Sequence, residues 1–526
     1  MLRQLQVLPR RFHANRALPR RMVLAETRHW PAAFSGRRGF AKVTEKEPEY
    51  ASGDLSGYEI FHDPKPFVFR NGAELPELRV AYETWGTLNA RKDNVILLQC
   101  GMSASSHARS HEKNPARGWW EDFIGPGLPL DTNIFYVICT NNLGGCFGSS
   151  GPSTLHPKDG KRYGSRFPRF EVQDQVAVQF HLLDHLGIDR VHACVGASLG
   201  GMQSVCSAAN FPDRVSKFVS ISAAAKSFPG SMAFRHTQRQ AIMLDPHWNG
   251  GDYYEGPLPA SGLRLAREIG TITYRSGQEW QQRFGQRRAR GMTMEGLEEE
   301  FEIERYLKHQ GAKWVNNYDP NSMLWISKAM DGFSLEKPDR EGAPCLVTGL
   351  LPARDIPALV IGVQHDVLFP VWQQKQIADV LRATGSKVVT YYELDSIYGH
   401  DAFLLDAVSI GPAVKGHLEQ EPGGAAHFWQ DMAETSARFL QAMVSKGCSA
   451  EALRDMWRAL AQGHEVVDAE RLKAVVKLVY DTKLPPADID RAFEEVVPSK
   501  QVRLEDLSPL RKALLDKEGN VDVYLP

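Results

Sequence analysis

The sequence predicts an α/β fold: a mostly parallel sheet, interrupted by a helical insertion. Three observations predict it. From about residue 57 onward, β-rich apolar runs alternate with helical ones. Several of those runs are apolar without a break, the pattern of strands covered on both faces. Between about Phe228 and Arg354 the strand signals fade and long amphipathic runs replace them. Alternation of this kind requires crossover connections and hence parallel strands.

The chain has 526 residues, 43% hydrophobic and 24% charged, the balance of an ordinary soluble globular protein. Its net charge of −1 excludes a global field that recruits nucleic acid or an anionic membrane, and neither partner is expected. Seven cysteines, an odd number never in CxxC spacing, argue against a disulfide framework or structural zinc and for a reducing compartment. No run is long and apolar enough to span a bilayer.

Residues 1–40 differ from the rest. They hold nine arginines and one acid, Glu26, and place Leu2, Leu5 and Leu8 near one helical face. An amphipathic, Arg-rich, acid-poor leader is the signature of a mitochondrial transit peptide, so a matrix location is expected. Arg37-Arg38-Gly39-Phe40-Ala41 resembles its processing site.

The first part of the core, 41–227, carries strands at Arg79–Gly86, Asn94–Gly101, Ile134–Asn141, Arg190–Gly196 and Lys217–Ala224, with a helix at Val172–Ile188. The insertion, 228–354, reads as a helical lid, with helices at 263–274, 280–291, 295–310 and 321–331. The second part of the core, 355–446, adds strands at Ala358–Gln364 and Lys387–Asp395. A charged extension, 447–526, reads as helical; it lacks a DxDxDG calcium loop, and no metal is assigned to it.

Within this pattern Gly196-Ala197-Ser198-Leu199-Gly200 closes a strand and opens a helix (MQSVCSAANF). That is the layout of a nucleophile elbow, a tight strand-to-helix turn that exposes a serine hydroxyl. The partners should follow in the order acid, then histidine. Asp366 lies just past the strand at Ala358, and His400 follows the next strand. His365 precedes the acid and does not fit the order. A serine hydroxyl needs a base of suitable pKa, and imidazole needs a carboxylate to fix its tautomer. Ser198, His400 and Asp366 are therefore the candidate triad. The oxyanion requires backbone N–H groups, for which Leu199, directly after the serine, and Met102, in the loop after an early strand, are the candidates.

Further motifs carry a resemblance. They include Gly118-Trp119-Trp120, the run from Asn142 to Pro152 (NLGGCFGSSGP), Arg166-Phe167-Pro168, Asp245-Pro246-His247-Trp248, Thr273-Tyr274-Arg275, Leu368-Phe369-Pro370 and Gly399-His400-Asp401-Ala402-Phe403. With these, the chain from about Tyr58 to Val444 resembles the homoserine and serine O-acyltransferases of the α/β-hydrolase superfamily. The resemblance implies an α/β-hydrolase fold and a two-step acyl transfer through an acyl-Ser198 intermediate. Acyl-CoA is then a co-substrate, and no cofactor is implied. It also implies that Arg267 binds the acceptor carboxylate, with Arg264 on the same helix as the alternative, and that Asp401 holds the acceptor ammonium. A homodimer is expected.

The loop Gly101-Met102-Ser103-Ala104-Ser105-Ser106-His107 looks more like the serine-using branch than the homoserine-using one. With its leader and tail, the chain looks like fungal serine O-acyltransferases that supply O-acyl-serine for cysteine synthesis. Homoserine O-acetyltransferase and a serine hydrolase, with water as acceptor, stand as alternatives, and the donor is acetyl-CoA or succinyl-CoA.

Overall fold

The computed structural model describes residues 56–289 and 300–420, together with 466–468, 491, 494–495 and 501–503. The leader at 1–40 lies outside the described residues.

Eight strands form one sheet: β1 (Glu59–Asp63), β2 (Leu78–Trp85), β3 (Val95–Gln99), β4 (Tyr136–Thr140), β5 (Ala193–Ala197), β6 (Phe218–Ile221), β7 (Ala358–Val363) and β8 (Val389–Leu394). Their spatial order is β1-β2-β4-β3-β5-β6-β7-β8. β2 pairs antiparallel with β1 and β4. All the remaining pairs are parallel. All seven predicted strands are present. β1 was not foreseen, because its side chains are mostly exposed and it carries no continuous apolar run.

The sheet has a core on each face, and the two-residue alternation of each strand distributes side chains between them. Leu97, Cys194 and Val360 enter one core, while Ile96, Leu98, Val195, Leu359 and Ile361 enter the other. The helices α1 (Val172–His185), α2 (Leu199–Asn210) and α8 (Val371–Ala383) supply cover for the first. Burial of each such Val or Leu is worth about 1.5–3 kcal/mol, so the two layers fix the strand register.

The lid contains α3 (Pro229–Met243), α4 (Ala260–Tyr274), α5 (Gly277–Arg283), α6 (Glu302–Val315) and α7 (Pro320–Asp331). Its own small core joins Ile242, Leu263, Ala266, Trp314, Met323 and Leu324. The expected helix over 280–291 stops at Arg283. Gly285 takes φ +53° just beyond it, the left-handed conformation that ends helices. The helix expected from 295 begins at Glu302, where the Glu304 carboxylate accepts from the Phe301 N–H at the helix start. Residues 290–299 lie outside the described residues.

A further helix, α9 (Ala407–Glu419), is tied down by a buried lysine: Lys217 Nζ donates to the carbonyls of His417 and Leu418 at 3.0 and 3.1 Å. The extension read as helical also contains a short strand pair that the sequence did not show. Val466–Asp468 pairs antiparallel with Gln501–Arg503, while Arg491, Glu494 and Glu495 are helical. A three-residue strand gives too short an alternation to register in the sequence. The other helices expected there lie outside the described residues.

Candidate active site

The elbow follows from two close approaches. A Cβ on Gly196 would lie 2.3 Å from the Gly200 backbone, and one on Gly200 would lie 1.8 Å from the Gln99 carbonyl oxygen of β3. Only glycine fits either place. Gly200→Ala is therefore expected to cost about 1–3 kcal/mol or more, read as a lower midpoint of urea unfolding.

Between the glycines Ser198 takes φ 58° and ψ −122°, a conformation that L residues rarely adopt. Its N–H donates to the Ile221 carbonyl at 2.9 Å. Strain of this kind, held by surrounding packing, is what lifts an elbow hydroxyl out of the helix line. Ser198 stands at the N-terminus of α2, whose dipole favours negative charge there.

Three separate segments meet at this hydroxyl. His400 Nε2 lies 2.9 Å from Ser198 Oγ, and His400 Nδ1 lies 2.7 Å from Asp366 Oδ2. The other Asp366 oxygen accepts from the Leu368 and Phe369 N–H groups at 2.9 and 2.8 Å, which fixes the carboxylate. Phe369 stacks on the imidazole at 5.3 Å and Phe403 meets it edge-on at 5.7 Å. All three polar residues are buried. His365 is turned outward, 3.2 Å from Asp395.

Burial alone would push the His400 pKa down, but the Asp366 charge and hydrogen bond, aided by Asp401, raise it above the usual 6.5. The base form requires a pH above that pKa. Acyl transfer is thus expected to fall on the acid side with an apparent pKa above 6.5. Asp366→Asn should move that limb to lower pH and reduce the rate about 10⁴-fold. A pH–rate profile of both proteins checks it; an acid limb left in place by Asp366→Asn contradicts it.

The loop after β3 faces the elbow. Met102 lines the same cavity as Ser198, and Leu199 opens α2 directly behind the serine. Several anchors hold that loop. Tyr318 donates to the Met102 carbonyl at 2.7 Å. Asn142 Nδ2 donates to the Gly101 carbonyl at 3.2 Å, and Gln203 of α2 donates to Asn142 Oδ1 at 2.8 Å. Thus the elbow helix and the oxyanion loop are joined through one asparagine. Farther along, Glu83 of β2 accepts from Ser106 Oγ at 2.7 Å and meets His107 Nδ1 at 2.8 Å. His107 Nε2 meets the Ala116 carbonyl at 2.8 Å, so it carries a proton. Burial works against a charged His107, but the Glu83 hydrogen bond and charge raise its pKa, and this buried pair clamps the loop.

The lid closes the cavity with Arg235 and Gln238 of α3 and Tyr274 of α4. Arg267 is buried behind Tyr274: its guanidinium lies 4.4 Å from the Trp314 ring centre and 5.3 Å from that of Tyr274. The Tyr274 hydroxyl hydrogen-bonds Arg267 and Ser103. Arg264 is half exposed and pairs with Glu268 at 3.6 Å, away from the site. Asp401 lines the cavity beside His400, with its Oδ2 3.5 Å from Arg275 Nε.

Arg235 did not emerge from the sequence. It is buried, as is Arg239, and both pair with Asp331, which is partly exposed. Arg235 Nε donates to Asp331 Oδ1 at 2.7 Å and Arg239 Nη2 to Asp331 Oδ2 at 2.6 Å. Two guanidiniums share one carboxylate, which leaves one positive charge in excess within the cluster, and Arg235 is its member that lines the cavity.

The alpha/beta hydrolase fold family matches residues 94–407. The chain is 48% identical over 431 residues to a serine O-succinyltransferase of Emericella nidulans, covering 71% of this chain and 83% of that one. It is 45% identical over 433 residues to a serine O-succinyltransferase of Schizosaccharomyces pombe, covering 71% and 86%. The chain belongs to the serine and homoserine O-acyltransferase family. Among solved structures, homoserine O-acetyltransferase from Bacillus anthracis matches with a TM-score of 0.63 at 28% identity, over 70% of this chain and 99% of that one. The α/β-hydrolase fold implied by the resemblance is the fold of this family.

Proposed function

We propose that the protein transfers the succinyl group of succinyl-CoA to the hydroxyl of L-serine. The observation that carries this reading is the Ser198–His400–Asp366 chain opening into a cavity whose wall holds an excess positive charge at Arg235. Ser198 attacks the thioester carbonyl while His400 takes its proton. The tetrahedral oxyanion is received by the N–H groups of Leu199 and Met102, and collapse releases CoA, protonated by His400. Serine then enters, His400 removes its hydroxyl proton, and the serine oxygen attacks the acyl-enzyme. The second tetrahedral intermediate breaks toward O-succinyl-serine, and the proton returns to Ser198.

Charged groups around the cavity have roles in this scheme. The acceptor is a zwitterion: Asp401 holds its ammonium, and Arg267, reached past Tyr274, holds its carboxylate. A succinyl donor brings a further carboxylate, for which the excess charge of Arg235 and Arg239 is the matching partner. A buried charge without a full counter-charge is costly, so a site built for an acetyl group alone gains nothing from it. The E. nidulans and S. pombe relatives, both serine O-succinyltransferases, support the same donor and acceptor.

Serine is one methylene shorter than homoserine, a difference worth only about 1–3 kcal/mol in a pocket. A steady-state assay crossing serine and homoserine with acetyl-CoA and succinyl-CoA tests the reading. The serine and succinyl-CoA pair is expected to give the highest kcat/KM. A higher value with homoserine or acetyl-CoA contradicts it, and CoA release that continues over many turnovers without an amino-acid acceptor points to hydrolysis. We also propose, from the Arg-rich leader, that the enzyme works in the mitochondrial matrix and supplies cysteine synthesis.

A further inference from the structure

The joint between α4 and α5 presses on the turn that carries His400. A Cβ on Gly399 would lie 2.9 Å from the Ser276 nitrogen, and the Ser276 hydroxyl donates to the Ile397 carbonyl. Inside this joint Arg275 is 3% exposed and Glu279 is 1% exposed. Arg275 Nη1 donates to Glu279 Oε1 at 2.7 Å, while its Nε stands 3.5 Å from Asp401 Oδ2. Arg283 approaches the same Glu279 oxygen at 3.7 Å. Arg283, Glu279, Arg275 and Asp401 thus form an alternating row of charges, neutral as a set, that runs from α5 to the cavity wall.

We propose that Arg275 is a positioning residue that keeps the Asp401 carboxylate ionised and aimed for the acceptor's ammonium, with Glu279 drawing part of the guanidinium away. The inference rests on the serine-transferase reading given above. Asp401 is 1% exposed, and an isolated carboxylate at that depth would take up a proton rather than stay charged. A nearby cation prevents this. A cation devoted wholly to Asp401 would instead compete with the incoming ammonium. Glu279 resolves the conflict, since the short contact of Arg275 is with Glu279 and the longer one is with Asp401. The other titratable or charged groups near Asp401 are His400 on its own turn, and Tyr274 with Arg267 behind it on α4.

The experiment compares the full-length protein with Arg275→Leu, Arg275→Lys and Glu279→Gln. For each, the serine KM is measured across pH, alongside the burst of CoA release from succinyl-CoA without serine. Arg275→Leu is expected to raise the serine KM at neutral pH by about tenfold or more. That KM should fall again as pH rises and Asp401 ionises, while the CoA burst stays near the wild-type rate. Arg275→Lys should restore most of the serine affinity. Glu279→Gln should raise the serine KM to a similar value at every pH, because Arg275 then pairs with Asp401 alone. An unchanged serine KM in Arg275→Leu overturns the proposal. Equal loss of the burst and of the serine step also overturns it, because Arg275 then supports only the His400 turn. Wild-type protein that releases CoA but never acylates serine would fail the functional reading itself, a separate result from any of these.

Discussion

Ser198→Ala abolishes acyl transfer and leaves the fold in place. The hydroxyl is the only group at the elbow that can carry the acyl chain, and its Oγ makes one hydrogen bond, to His400 Nε2. Alanine keeps the Ser198 N–H bond to Ile221 and needs no more room in the turn. In hydrolases built on this triad, loss of the nucleophile lowers kcat by about 10⁶, with a residue of about 10³–10⁴ over water from binding and the oxyanion hole. A transferase adds a second loss, because without a covalent intermediate the acyl group cannot wait for serine. Turnover of the variant is therefore expected below about one part in 10⁴ of wild type. Thermal unfolding should stay near the wild-type midpoint. Measurable O-acyl-serine formation by Ser198→Ala would remove the acyl-enzyme from the account.

Arg235→Met carries a large effect on one donor alone. The side chain is buried, bonded to Asp331 and Ser227, and sits on the wall of the cavity that contains Ser198. Burial pulls its pKa down, and Asp331, shared with Arg239, makes up only part of the difference. An added carboxylate would complete the balance. Truncating one member of a buried, hydrogen-bonded charge pair costs about 2–5 kcal/mol, so kcat/KM for succinyl-CoA should fall by about 10²–10³. Acetyl-CoA has no carboxylate on its acyl group, and its kcat/KM should change by less than about tenfold. The serine KM should hold. A rise in serine KM at constant donor preference would show instead that Arg235 binds the acceptor carboxylate. Loss with both donors alike would show that the Arg235–Asp331–Arg239 cluster only holds α3 to α7.

The legible parts of this fold are those that local pattern dictates. Strands β3, β5 and β7 are buried along their whole length, so each appears as an unbroken apolar run. The elbow and the ends of β7 and β8 could be read because the triad obeys chain order, and the structure brings Ser198 and Asp366 each within hydrogen-bond reach of His400. Choosing between Arg264 and Arg267 needed the packing of α4, since both lie on one helix and only the Trp314 ring on α6 shows which side faces inward.

What escaped the sequence depends on distant partners. The clamp on the oxyanion loop joins Tyr318 to Met102, 216 positions apart, and Glu83 to His107 across two segments. Arg235 looks like any helical arginine until Asp331, 96 positions on, is seen to serve Arg239 as well. Arg275 likewise gains meaning only beside Asp401. None of these pairings follows from spacing along the chain: Tyr318–Met102 and Arg275–Asp401 form between the lid and the core, Arg235–Asp331 within the lid and Glu83–His107 within the core.

The most direct test is the intact mass of the protein after brief mixing with succinyl-CoA in the absence of serine. The account predicts one added succinyl group, located on the peptide that contains Ser198 and absent from Ser198→Ala. Adding L-serine should remove it much faster than water does and yield O-succinyl-serine. No adduct at Ser198, or an adduct lost at the same rate with and without serine, would contradict the account.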